Sequence, residues 1–349
     1  MWREAYPTTR WGKSLKAAIF NALGEPLAIQ ERPEPTPADD QVILKVCRCG
    51  ICGSDLHMTE PGSFYVPPSG FVLGHEIAGE VVAIGKSVRN IKVGDRVAAL
   101  PITGCGACAA CLAGEPAWCG IGMRFLAGGY AEYAVAGARE CLVLPESITL
   151  QDGALVEPLA VALHGVRQTP GVSGAQAMVM GAGPIGLGVI YWLHRFGAAR
   201  IDVVEGNPAR AEMAMRLGAT IVTAPDVTGD PLSSQPNGQG PEFVFECVGR
   251  AGLLANAIAR VRPRGTIVSL GFCVNPEQIL ASAAAQREVT LKFPKLYTLG
   301  DYQMTIDAFE AGHVEPRLMV TGLTSLDDLP TVFESLRKPG GECKIMVAP

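Results

Sequence analysis

The chain is short of charge and of aromatic side chains. Asp, Glu, Lys and Arg make up 18% of its 349 residues, and Phe, Trp and Tyr only 6%. The formal net charge is −5, so the basic excess with which proteins hold nucleic acid or anionic lipid is missing. No apolar run reaches the ~18 residues of a transmembrane helix, because Gly, Pro or a charge interrupts each one sooner. The segment Met1 to Lys13 carries Trp2, Trp11 and several charges but no apolar h-region, which argues against a cleaved secretory signal. It reads either as a short arm or as residues foreign to the domain, and the sequence does not choose. Internal repeats and low-complexity tracts are also missing, which sets aside solenoids and disordered chains. The apolar fraction, 48%, is that of a globular protein, and the length suits two domains. A cytoplasmic protein with neither membrane nor nucleic acid as partner is expected.

Cysteine, by contrast, is plentiful, with 11 residues. Without a secretory signal, they point to a reducing compartment. Four of them, Cys105, Cys108, Cys111 and Cys119, follow the spacing C-x2-C-x2-C-x7-C among small residues such as Gly104, Gly106 and Gly114. Four soft thiolates at about 2.3 Å satisfy a tetrahedral zinc, and a short loop with tight turns can deliver them. Disulfides or free thiols are the competing reading, which the crowding disfavours in a long chain of this kind. A four-thiolate site is closed, so this zinc is expected to be structural.

Residues 16 to about 159 show short strand-like runs with Gly and Pro punctuation: Lys16–Phe20, Val42–Val46, Glu80–Ile84, Arg96–Leu100 and Tyr130–Val135. They predict a β-rich, barrel-like domain whose loops carry most of the Cys and His residues. After about residue 160 strand and helix patterns alternate: Ala177–Met180, a helix-length segment, Ile201–Val204, a helix over Pro208–Leu217, Phe243–Phe245, a helix over Leu253–Val261, and Thr266–Leu270. Such alternation predicts βαβ units and a doubly wound parallel sheet. The stretch Pro225 to Pro241 reads as a surface loop. Two further helices, Tyr302–Glu310 and Ser325–Leu336, and a last strand, Lys344–Val347, complete the chain. The expected division is a catalytic domain over 1–159, a nucleotide domain over 160–296 and a return to the first domain over 297–349.

Gly181-Ala-Gly183-Pro184-Ile185-Gly186 is G-x-G-x-x-G placed after a strand and at the start of a helix, the context in which this motif binds a dinucleotide. Gly181 permits the tight turn, Gly183 lets pyrophosphate approach the backbone, and Gly186 lets helix and sheet pack closely. Glu205 ends the next strand, where a carboxylate can accept from both adenosine ribose hydroxyls and repel a 2′-phosphate. No basic residue stands at 206–209, and Arg210 is five positions on. NAD is therefore expected over NADP. Pro184, Ile185, Arg210, Cys247, Val248, Leu270 and Gly271 are the further candidate cofactor contacts.

Three other segments hold zinc-capable groups: Cys47-Arg-Cys49-Gly-Ile-Cys52-Gly-Ser54-Asp55-Leu-His57, Gly74-His75-Glu76, and Glu157 through His164. A catalytic zinc takes three protein ligands and leaves a place for water or substrate. Together with the four-cysteine segment and the glycine fingerprint, in this order, these motifs resemble the zinc-containing medium-chain dehydrogenase/reductase family over nearly the whole chain. Glu157-Pro158-Leu159 resembles the branch with sorbitol, butanediol and related secondary-alcohol dehydrogenases. The resemblance implies a GroES-like catalytic domain joined to a Rossmann domain, and two zinc ions per chain. It implies Cys52 and His75 as ligands of the catalytic zinc. Glu157 is implied as a third ligand or as acting through water, and Glu76 as a ligand or a close neighbour that exchanges with water. Asp55 is a candidate to orient His75, with a turn cap as its alternative. Ser54 matches the position that accepts the alcohol proton and His57 the one that passes it on. A homodimer or homotetramer is implied as well.

Cys47, Cys49, Cys141, Cys247, Cys273 and Cys343 read as reduced core cysteines. His164 reads as packing. Polyol dehydrogenases of the resembling branch tend to carry Arg-Tyr where the chain re-enters its first domain; here the pair is Leu296-Tyr297, and leucine donates no hydrogen bond. Met58, Phe64 and Trp118 are apolar candidates for a pocket wall. The expected reaction is oxidation of a less polar, possibly cyclic, secondary alcohol to a ketone. A polyol, 2,3-butanediol or threonine-type dehydrogenase is the alternative, and a non-catalytic NAD-binding redox sensor is the alternative of another class.

Overall fold

The computed structural model describes residues 14–63, 65–225, 240–338 and 340–349. Met1 to Lys13, Phe64 and nearly all of the loop expected over Pro225 to Pro241 lie outside the described residues. Contacts divide the chain into two units: Met1–Glu157 with Thr298–Pro349, and Pro158–Tyr297. No helix among the described residues is long and apolar enough to cross a membrane.

In the first unit the chain forms β1 (Ser14–Phe20), β2 (Ala28–Pro33), β3 (Gln41–Gly50), α1 (Gly53–Met58), β4 (Phe71–Val72), β5 (Glu76–Ile84), β6 (Arg96–Ala99), β7 (Ile102–Thr103), α2 (Ala109–Leu112), β8 (Arg124–Phe125), β9 (Tyr133–Gly137) and β10 (Cys141–Val143). Helix α3 (Leu150–Val166) follows, opened by a reciprocal cap in which Thr149 N–H donates to Asp152 and Asp152 N–H donates to Thr149 Oγ1. The second unit contains β11 (Gln176–Met180), α4 (Pro184–Arg195), β12 (Arg200–Val204), α5 (Pro208–Arg216), β13 (Ile221–Thr223), β14 (Phe243–Glu246), α6 (Leu253–Arg260), β15 (Thr266–Ser269), α7 (Ala281–Arg287) and β16 (Thr290–Lys292). The chain then returns to the first unit with α8 (Leu299–Glu310), β17 (Val320–Ser325), α9 (Leu329–Ser335) and β18 (Lys344–Ala348).

The β-rich unit is organised around β3. Among the described residues its main sheet runs β10-β6-β5-β3-β18-β17, with β9 also pairing to β3. Val42, Leu44 and Val46 of β3 are buried with Ile77, Val81, Val97, Tyr130, Phe333 and Val347 in one core. A smaller sheet, β2-β1-β4, adds Ala18 and Phe20 to this core, while Leu15, Ala17 and Ile19 form a separate cluster with Ala131. Because β18 pairs antiparallel with the end of β3, the C-terminal strand lies against the segment that leads into Cys52.

The second unit holds a six-stranded sheet in the order β13-β12-β11-β14-β15-β16. All its pairings are parallel. Counted within the unit this is 3-2-1-4-5-6, the doubly wound order whose reversal lies between its first and fourth strands. Met178, Met180, Val244, Ile258 and Ile267 form its core on one face. The α/β class and the β-rich plus parallel-sheet architecture expected from the sequence are the ones observed.

Several local expectations need correction. The strand expected over Tyr130–Val135 begins at Tyr133, and the helix expected from Ser325 begins at Leu329, Ser325 being the last residue of β17. Cys52 caps a helix, α1, that carries Ser54 and His57, where a loop was expected. Helix α3 has no sequence signature of its own: almost every side chain from Asp152 to Val166 is buried, so no polar face marks the helical period. Pro158 inside it reads as a breaker when only the sequence is in view.

Candidate active site

The metal-binding groups of the first unit fall into two clusters. Cys52, His75 and Glu76 each turn a ligand atom to within 4.8 Å of the others. Cys52 stands at the N-cap of α1, Glu76 opens β5, and His75 immediately precedes that strand. His75 and Glu76 are buried, Glu76 completely. One oxygen of Glu76 accepts from Lys344 Nζ at 2.6 Å, and the same ammonium donates to Ile51 O at 3.0 Å. The other oxygen, Oε2, is buried without a hydrogen-bond partner. An orphaned buried carboxylate oxygen beside a thiol and an imidazole fits a cation ligand set, since burial leaves such an oxygen costly unless something positive meets it. Glu157, on α3, is buried but falls outside this group.

The room for Glu76 comes from a glycine. A Cβ on Gly50 would stand 1.7 Å from Glu76 Oε2 and 3.2 Å from Lys344 Cδ. The close approach of β3 to β5 and β18 therefore requires glycine there.

His75 is oriented from behind. Its Nδ1 lies 3.2 Å from Asp55 Oδ1, which leaves Nε2 as the nitrogen for a metal. Asp55 is fully buried and also accepts from the Tyr130 hydroxyl at 2.7 Å and from Cys52 N–H at 3.3 Å. Burial pushes the Asp55 carboxyl up, but the charge and hydrogen bond of His75 and the Tyr130 hydroxyl outweigh it and hold it below the usual range. Burial pulls His75 down, and Asp55 raises it well above the ordinary value. Burial and the neighbouring Asp55 charge keep Tyr130 protonated by raising it well above the usual phenol value. Ser54 and His57 share a face of α1 at i, i+3. Ser54 is half-buried and His57 exposed, with His57 Nδ1 3.4 Å from Glu60 Oε2.

The second cluster is Cys105, Cys108, Cys111 and Cys119, whose sulfurs all lie within 4.8 Å of one another. Three of the separations are 3.6, 3.9 and 4.0 Å. A tetrahedron with metal–sulfur bonds of about 2.3 Å has edges of about 3.8 Å, whereas a disulfide needs about 2.05 Å. The sulfurs thus sit at the spacing of a shared metal. Backbone N–H groups of Cys105, Gly122 and Ile121 hold the Cys119 thiol down to about 6. Desolvation pushes Cys111 up to about 12, and a divalent cation at the centre is what brings such a thiol to thiolate. A Cβ on Gly104 would meet Cys111 Sγ at 2.3 Å, so the turn is closed around the sulfurs. All eleven cysteines are free. Of those expected in the core, Cys49 and Cys141 are buried, while Cys47, Cys247, Cys273 and Cys343 are partly exposed.

The nucleotide motif occupies the expected place in the second unit. Gly181 has φ +89°, and a Cβ there would reach 2.5 Å from Val248 Cγ2. A Cβ on Gly186 would stand 1.9 Å from Gly181 O, while one on Gly183 would meet nothing within 4 Å. Gly183 caps α4 without a side-chain hydrogen bond, and Pro184 opens the helix, followed by Ile185. The first N–H groups of α4 are therefore left for a phosphate, and the open space over Gly183 admits one. Cys247 and Val248 follow β14, and Leu270 and Gly271 follow β15. These are the carboxyl ends of strands beside the reversal point, where nucleotides bind in such sheets.

Glu205 is buried and already engaged. Its Oε2 accepts from Ala182 N–H at 2.8 Å, and its Oε1 accepts from Asn207 N–H at 2.7 Å and from Arg210 Nη2 at 2.9 Å. Burial pushes its carboxyl up, but these donors, led by Arg210, hold it below the usual range. Arg210, five residues away in sequence, is thus beside the acid at the expected ribose site. Trp118 is 59% exposed, Met58 packs on the core, and Phe64 lies outside the described residues. Leu296 is half-buried with φ +55°. His164 Nε2 lies 3.4 Å from Gln168 Nε2, outside both metal clusters. Sequence reading missed Tyr130, Lys344 and Gly50. The one available signal was Gly50, two residues before Cys52.

Residues 38–146 match the Alcohol dehydrogenase GroES-like domain and residues 184–311 the Zinc-binding dehydrogenase family. A sorbitol dehydrogenase of Bacillus subtilis is 32% identical over 97% of this chain and 98% of its own. The structure of 2R,3R-butanediol dehydrogenase from the same species is 34% identical, with a TM-score of 0.84 over 96% of this chain and 100% of that one. An alcohol dehydrogenase of Escherichia coli CFT073 complexed with NADH has a TM-score of 0.88 at 26% identity, covering 97% of this chain and 100% of its own. A zinc-binding dehydrogenase of Sinorhizobium meliloti bound to NADP has a TM-score of 0.87 at 28% identity, with the same coverages. With both halves matched and the similarity running end to end, the chain belongs to the zinc-containing medium-chain dehydrogenase/reductase family of alcohol and polyol dehydrogenases.

Proposed function

We propose that this protein oxidises a secondary alcohol reversibly to a ketone, using NAD and a zinc ion held by Cys52, His75 and Glu76. The convergence of these three groups, with Glu76 Oε2 buried and unpartnered, carries the reading. Zinc there supplies Lewis acidity that lowers the pKa of a substrate hydroxyl. Ser54 accepts the hydroxyl proton, and His57, on the same face of α1 and exposed, passes it to water. Asp55 keeps His75 in one tautomer and plane. Glu157 acts from helix α3 through water or by moving to the metal. Gly181, Gly183 and Gly186 would hold NAD, which would supply the hydride acceptor. Cys105, Cys108, Cys111 and Cys119 hold a second, structural zinc.

Glu205 favours NAD, because a carboxylate at the ribose repels a 2′-phosphate. Leu296 favours a less polar, cyclic alcohol over a polyol. The second reading is a polyol or butanediol dehydrogenase, and the sorbitol and butanediol enzymes among its relatives favour it. Assembly as a homodimer or homotetramer belongs to the same proposal.

Initial rates of NADH formation on matched cyclic alcohols and polyols test this. Turnover on cyclohexanol above that on sorbitol and xylitol supports the first reading, and the reverse order establishes the second. Failure of the zinc-loaded protein on every alcohol would remove the dehydrogenase assignment. Better turnover with NADP than with NAD at equal concentration would overturn the cofactor assignment.

A further inference from the structure

We propose that Tyr130 is a positioning residue for the metal centre, acting through Asp55 on His75. The inference rests on the reading of Cys52, His75 and Glu76 as metal ligands. Asp55 is fully buried, and of its three side-chain partners the Tyr130 hydroxyl is the nearest: 2.7 Å, against 3.2 Å to His75 and 3.3 Å from Cys52 N–H. A short O–H···O⁻ bond is charge-assisted and about twice as strong as a neutral one. It fixes Oδ2, and a carboxylate is planar, so it also fixes where Oδ1 meets the imidazole.

The tyrosine itself is clamped. Its N–H donates to Leu73 O at 3.1 Å, and its carbonyl accepts from Ala18 N–H at 2.8 Å. Its ring is fully buried, with Phe333 edge-on at 6.3 Å between centroids. Beside it Gly74 has φ +85°, and a Cβ there would stand 2.5 Å from the Tyr130 ring. The residue next to His75 therefore has to be glycine for this ring to reach Asp55. A merely space-filling aromatic needs no hydroxyl at that point, whereas removing this one leaves Oδ2 with a single long bond from Cys52.

The experiment follows zinc release from the holoenzyme to a chromogenic chelator, with the four-cysteine zinc as internal reference. Partners behind a metal-bound histidine are worth about 10–100-fold in affinity. Tyr130→Phe is expected to release one zinc about 10-fold faster and leave the other unchanged. Asp55→Asn should release the same zinc faster still, and the double variant no faster than Asp55→Asn alone, since Tyr130 acts only through Asp55. Phe333→Leu loosens the ring without touching the hydroxyl and should release zinc as wild type does. Wild-type release from Tyr130→Phe, while Asp55→Asn leaks, overturns the role of Tyr130 alone. Equal leakage from Phe333→Leu, or additive effects in the double variant, reduces it to packing. Unchanged release from Asp55→Asn removes the metal-site reading, and the positioning role with it.

Discussion

Lys344→Met should weaken the protein far more without zinc than with it. Lys344 and Glu76 are 1% and 0% exposed and 2.6 Å apart. Burial disfavours the ammonium, yet Glu76 keeps Lys344 charged, its pKa raised above the ordinary lysine value. Removing one partner of a buried ion pair costs about 3–5 kcal/mol, because the other charge is left uncompensated. In a unit of this size that is a fall in Tm of about 6–20 °C. With zinc bound, the charge of Glu76 is met from its other oxygen, and the loss should be smaller. A gap of about 2 kcal/mol between the two states corresponds to about 30-fold tighter zinc binding by the variant. Calorimetric scans of zinc-stripped and zinc-loaded protein, paired with a zinc titration, read both quantities. Equal Tm losses in the two states, with unchanged zinc affinity, would refute the idea that lysine and metal share one carboxylate.

Cys111→Ser should remove one zinc per chain and lower Tm by about 5–10 °C while the Cys52 centre keeps its ion; metal analysis showing two retained zinc ions would contradict the four-sulfur assignment. Glu205→Ser frees Arg210, now 2.9 Å from that carboxylate, and should raise the NADP-to-NAD ratio of kcat/KM about tenfold, the size of one charge-assisted hydrogen bond; an unchanged ratio would place the ribose elsewhere. Asp152 pairs with Arg317 at 2.7 Å, and although burial opposes it, the guanidinium and Thr149 hold its carboxyl below the usual value. A depressed carboxyl stabilises the fold above its unfolded pKa of about 3.9, and that stability is lost as pH falls through the folded value. The urea midpoint of Asp152→Asn should therefore lie below wild type at neutral pH and converge with it below about pH 4; a constant gap would assign the loss to packing.

What the sequence shows of the fold follows how each element is buried. Four of the parallel strands, β11, β12, β14 and β15, are legible because each is a short apolar run near a turn or an amphipathic helix such as α5, with its Asn207 cap and Pro208 start; the three-residue edge strands β13 and β16 are too short to be read. Helix α3 is not legible, because immersion on all sides erases the polar face by which a helix is recognised. Strand β17 hides for a related reason. Its burial alternates only between partial and exposed over most of its length, with Gly322 in its middle, so propensity and pattern are both weak.

The site divides along another line. Residues that touch a metal or a phosphate come in local motifs, since a turn or a helix start has to present several of them together. Cys52-Gly-Ser54-Asp55 and Gly181-Ala-Gly183 can therefore be read from the chain. Asp55 apart, the residues that aim them come from wherever the sheet passes. Lys344 reaches Glu76 across 268 positions, and Tyr130 reaches Asp55 across 75. No spacing rule connects such pairs, and a lone lysine or tyrosine in a strand-like run looks like surface or core. What could betray them is a glycine without a turn to explain it. Gly50 lies at the end of a strand with no positive φ, so conformational freedom does not account for it; its missing Cβ does, because Glu76 and Lys344 fill that space. A strand glycine beside a candidate ligand thus marks where a second strand brings a buried charge to the candidate metal site.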